Sequence, residues 1–107
     1  MSKIQTDSTK NFGLPYITLG GKNHLIQFNG TAKKNAEAFE KEVRAIEVRA
    51  TQACYIKVGD SDVVATNADT YLAANDTRRY GIDSNNRYIS ALRVSSNGDL
   101  RVTEGKA

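Results

Sequence analysis

Apolar residues in this chain recur at every second position in short bursts, and Gly, Asn and Asp cluster between the bursts. Ile46, Val48 and Ala50 alternate with Glu47 and Arg49, and Cys54, Ile56 and Val58 alternate with Tyr55 and Lys57. Successive side chains of a strand point to opposite faces, so a period of two marks half-buried β-strands. All six apolar positions are even-numbered. Either one long strand runs through Thr51-Gln52-Ala53, or these residues form a tight hairpin that keeps both apolar sets on one face. Strands commonly run about 5–6 residues, which favours the break.

The same signals extend along the chain. Leu25-Ile26-Gln27-Phe28 reads as a strand closed by Asn29-Gly30. Val63-Val64-Ala65, Tyr71-Leu72-Ala73 and Arg79-Tyr80-Gly81-Ile82 are short strand candidates, separated by Asn67, Asp69, Asn75-Asp76 and the run from Asp83 to Asn86. Residues 87–95 and 99–104 flank Ser96-Asn97-Gly98. A three-residue loop there places Val94 opposite Leu100 and Leu92 opposite Val102, with Gly98 in the left-handed position of a G1 bulge. That register also sets Arg93 against Arg101, a like-charge pair that calls for an acidic neighbour. Residues 32–43, AKKNAEAFEKEV, break the pattern. Their helix formers, with Ala36, Phe39 and Val43 at helical spacing, predict a short helix. Residues 1–11 are polar and read as a flexible N-terminal arm. Residues 12–19, FGLPYITL, contain the one proline and read as an edge strand or a clamp across a neighbour. The sum is an all-β chain: an arm at 1–11, then a single antiparallel β-sandwich over 12–107, jelly-roll-like, with a short helix near 32–43.

Composition narrows what such a domain can do. The 107 residues suit one domain with one modest core. No apolar run approaches the length that crosses a bilayer, and MSKIQTDSTK has no secretory pattern, so neither a membrane span nor a signal is expected. A single cysteine makes no internal disulfide, which fits synthesis in a reducing cytoplasm. The net charge of +3 is mild, its basic excess lying in residues 1–59, and it lacks the clustered stripe of a nucleic-acid binder.

The residues that carry chemistry are few. Nucleophilic catalysis commonly sets a nucleophile against a histidine. Here the pool is Cys54, in phase with Ile56 and Val58 on the inward face, and His24, in or just after the turn at Gly20-Gly21-Lys22-Asn23. One Cys and one His are too few for a zinc site. Asp60-Ser61-Asp62 and Asp83-Ser84-Asn85-Asn86 lack the calcium-loop pattern and read as Asx turns. No catalytic residue, cofactor or metal ligand is therefore assigned. What remains is adhesion: five tyrosines, a type enriched in interfaces, and outward-facing Tyr55, Lys57, Arg93 and Arg101 as protein-interface candidates.

Over residues 44–104 the segments RAIEVRATQACYIKVGDSDVVAT, NADTYLAAND and RYISALRVSSNGDLRVTE resemble small structural proteins of tailed bacteriophages. The resemblance covers a little over half the chain, in order. It implies a jelly-roll-like sandwich used as a virion part, carries no catalytic residues, and sets strand and loop against the helix at 32–43. The expected role is a capsid decoration protein, a homo-oligomer bound to the major capsid protein or other virion proteins. A neck, tail or fibre component and a carbohydrate- or receptor-binding module, with its pocket near Asp60 and Asp83, are the alternatives.

Overall fold

Alternation becomes strand wherever one face of the alternating set can reach a shared core. The computed structural model describes residues 22–105. Its described residues form eight strands and no helix: β1 Asn23–Phe28, β2 Lys33–Lys34, β3 Ala45–Ala50, β4 Cys54–Gly59, β5 Thr70–Leu72, β6 Thr77–Gly81, β7 Tyr88–Arg93 and β8 Gly98–Gly105. They make two four-stranded sheets, in the orders β1-β8-β3-β6 and β2-β7-β4-β5. Every pairing is antiparallel. The first half of the chain runs against the second: β1 pairs with β8, β2 with β7, β3 with β6 and β4 with β5, and successive pairs alternate between the sheets. The arm at 1–11 and the strand or clamp at 12–19 lie outside the described residues.

One core serves both sheets. Ile26, Phe28, Ile46, Val48, Ala50, Leu100 and Val102 come from the first sheet, and Cys54, Ile56, Leu72, Ile89 and Ala91 from the second. Register keeps the faces aligned, with Ile26 opposite Leu100 and Val48 opposite Val102. Each buried Leu, Ile, Val or Phe side chain contributes roughly 1.5–3 kcal/mol by leaving water.

The break at residues 51–53 is present, but no hairpin forms there. The chain crosses from the first sheet to the second, and even-numbered residues on both sides of the crossing face the same core. The terminal hairpin is also absent, because β7 and β8 belong to different sheets. The expected core face of β7 is reversed: Ile89 and Ala91, not Leu92 and Val94, enter the core, and Val94 is 40% exposed. Arg93 therefore does not face Arg101; it lies opposite Cys54, while Arg101 lies opposite Arg49 and Leu25. Gly98 does not take a left-handed conformation; it begins β8 opposite Phe28.

The helix at 32–43 does not form. Lys33–Lys34 pair with β7, and the rest is a loop with one turn closed by Val43 N–H donating to the Glu40 carbonyl. Tertiary anchors override helix propensity here. Asn35 Oδ1 accepts from Ile89 N–H at 2.9 Å. Arg87 donates to the carbonyls of Val43 at 3.0 Å and Phe39 at 3.2 Å. Phe39 and Val43 are buried, but Ala36 is exposed, so the expected apolar face is never assembled. Val63-Val64-Ala65 is loop rather than strand, with Val63 and Ala65 still buried.

Gly98 is needed for space. A Cβ there would lie 2.9 Å from Phe28 Cζ and 2.9 Å from Gln52 Cβ. Overpacking of this kind costs about 1–3 kcal/mol. Gly98→Ala is therefore expected to lower the urea midpoint with an unchanged slope.

Candidate functional site

The outward faces of the two sheets carry three of the four interface candidates, Tyr55, Lys57 and Arg101. On the second sheet, Tyr71, Tyr55 and Leu92 stand directly opposite one another across β5, β4 and β7. Tyr55 and Tyr71 meet edge to face, with centroids 6.1 Å apart and planes at 66°. Tyr71 is 51% exposed. Lys57 lies one row away on the same face, opposite Ser90, which also faces Lys34. Tyr88 shares this side, with Lys34 Nζ 5.2 Å from its ring centroid. The loop after β4 returns over the Ser90 row: Ala65 N–H donates to Ser90 Oγ at 2.9 Å, and Val63 abuts Gly59. The row Tyr71-Tyr55-Leu92 stays open beside it.

The four interface candidates are not gathered on one surface. Tyr55 and Lys57 share the outer face of the second sheet. Arg101 projects from the outer face of the first, in the row Leu25-Arg101-Arg49-Thr77. In the neighbouring row Arg79 Nε donates to Glu47 Oε1 at 2.9 Å; that carboxylate pairs with Arg79, not with Arg101. Arg93 sits at the end of β7, its guanidinium against Gly30 and bonded to Asn97 Oδ1 at 2.7 Å. Alternation placed Tyr55 outward. It had no means of bringing Tyr71 and Tyr88 to the same side, since that depends on which strands pair.

The titratable groups lie inside. His24 is the second residue of β1 and is buried. Its Nε2 lies 2.7 Å from Glu104 Oε2, and Glu104 is fully buried. The second carboxyl oxygen, Oε1, is buried without a hydrogen-bond partner among the described residues. The His24 ring meets Phe39 edge to face at 5.2 Å. Sequence reasoning missed this pair, although a signal existed. Glu104 is in phase with Leu100 and Val102, and a carboxylate on an inward face demands a partner. Cys54 is fully buried, and burial pushes its thiol up to about 11. Among the described residues, no group of three His, Cys, Asp or Glu side chains is placed to hold a metal ion. No helix among them is long and apolar enough to cross a membrane.

Comparisons with protein-family models, with curated proteins and with solved structures return no match.

Removing one member of a buried pair strands the other, at a cost of about 3–5 kcal/mol. His24→Ala is expected to destabilise by about that much in urea, and the His24→Ala/Glu104→Ala double variant by less than the sum of the two single changes. Cys54 is expected to react with a thiol reagent at pH 8 on the order of a hundredfold more slowly in the native protein than in denaturant, because little thiolate forms at that pH.

Proposed function

We propose that the protein is a non-enzymatic structural component of a tailed-phage virion, a capsid decoration protein that is made in the host cytoplasm and binds the shell as a homo-oligomer. The observation that carries this reading is the strand pairing. The chain's halves run together as β1–β8, β2–β7, β3–β6 and β4–β5, alternating between two antiparallel sheets, and this pairing supports reading the domain as a jelly-roll-like sandwich. Jelly rolls are a common architecture of viral capsid domains. The segments that resemble phage structural proteins fall on its strands: AIEVRA on β3, CYIKVG on β4, TYL on β5, YISALR on β7 and GDLRVTE on β8. The open row Tyr71-Tyr55-Leu92 supports the adhesive part of the reading, since aromatic side chains anchor interface cores.

Sedimentation with isolated phage shells tests the proposal. Wild type is expected to co-sediment at a fixed ratio to the major shell protein, and Tyr55→Ala/Tyr71→Ala to bind about tenfold or more weakly, as loss of a central aromatic anchor does. A closed ring that ignores shells would move the protein to the neck, tail or fibre. A free monomer that binds glycans would replace the proposal with a carbohydrate-binding module, since lectins also use jelly rolls.

A further inference from the structure

Sheet edges present unpaired backbone groups, and proteins blunt them with short strands, charged side chains or proline. The described residues give four such edges. β2 is two residues long and both are lysine. β5 has three residues. β6 carries Arg78 and Arg79. β1 differs from all three. Its six residues, NHLIQF, include no Lys, Arg, Asp, Glu or Pro, and they alternate regularly between exposed and buried. Leu25, in the middle of its outward row, is 49% exposed.

We propose that β1 is a self-pairing edge: two copies of the chain join β1 to β1 antiparallel across a two-fold axis and fuse their first sheets into one sheet of eight strands. A second copy suits this edge better than it suits β2 or β6, because a two-fold axis sets each surface against itself and β1 alone of the three carries no Lys, Arg, Asp or Glu. At β6 that symmetry would bring arginine to arginine, and at β2 lysine to lysine. At β1 it sets the outward residues Asn23, Leu25 and Gln27 against one another, with no like charges in the pair. Register follows from parity. The buried set His24, Ile26 and Phe28 must continue the core side of the joined sheet, so odd residues meet odd and even meet even, and the axis passes at Leu25 or at Ile26. The nearest like charges are tolerable. Arg101 on β8 would stand three strand spacings from its symmetry mate, about 14 Å. That exceeds the Debye length of about 8 Å at physiological salt. The interface gives a surface to the self-association proposed above and rests on that part of the reading alone.

Analytical ultracentrifugation of the full chain over a concentration series tests it, using wild type, Leu25→Glu and Leu25→Lys. Glutamate at 25 faces Arg101 of its own chain, so that variant keeps its fold, which circular dichroism verifies. With either axis position, residue 25 lies opposite or diagonal to its symmetry mate, within reach of a charged pair. Wild type is expected to dimerise. Each variant alone is expected to dissociate about tenfold or more readily, and an equimolar mixture of the two is expected to restore the dimer. If both variants associate as wild type does, the interface lies elsewhere, and the proposal falls while the homo-oligomer reading stands. If wild type is monomeric at every concentration, the proposal falls too. Hydrogen-exchange protection of the β1 amides pointing away from β8 in that monomer would show that the chain covers its own edge.

Discussion

Residues 51–53 carry the chain from one sheet to the other, and the even-numbered apolar side chains before and after them face the same core. The rest of the architecture depends on this crossing. β3 lies between β8 and β6, and β4 lies between β7 and β5, so each sheet is built around one of the two strands the crossing joins. The crossing is fixed by backbone bonds to three distant segments. Thr51 N–H donates to the Asp99 carbonyl, Asn75 N–H to Ala50 and Val94 N–H to Ala53. Asp99 N–H in turn donates to Thr51 Oγ1. A shift of one residue here would turn every side chain of one central strand out of the core.

A second group of interactions closes the core where the strands leave it open. The loop at 35–44 is irregular, yet backbone groups of its buried residues Phe39 and Val43 are paired. Arg87 holds its carbonyls, Asn35 holds β7, and Phe39 covers His24. Beneath it lies the His24–Glu104 pair, which joins the edge strand β1 to β8 through side chains as well as backbone. A slipped register would separate the two groups and leave each buried without its partner.

The strands were legible in the sequence because a period of two is a local property. Leu25 to Phe28, Ile46 to Ala50, Cys54 to Val58 and Leu100 to Val102 all alternate as written. Pairing was not legible, because it joins residues far apart. Asn97-Gly98 carries a strong turn signal, but a turn signal does not say whether the chain doubles back within its sheet or passes to the other one. The helix misreading has a similar source. Ala36, Phe39 and Val43 fit a helical face, while the groups that hold them otherwise, Arg87 and Ile89, lie more than forty residues on. Tyr55 was legible as outward; its company with Tyr71 and Leu92 emerged only with the sheet.

The pairing of β1 with β8 also has a consequence in time. Asn23 lies opposite Thr103, so the earliest strand described waits for the latest before it has a neighbour on that side. The same holds for β2 and β3, which wait for β7 and β6. Only β4 meets its partner β5 within a short stretch. Chains dominated by such distant contacts fold on the millisecond-to-second scale. At a synthesis rate of about 5–20 residues per second, the first three strands spend seconds without their native partners. The lysines of β2 and the polar side chains alternating along β1 and β3 then serve a nascent chain, which must stay soluble until its second half arrives.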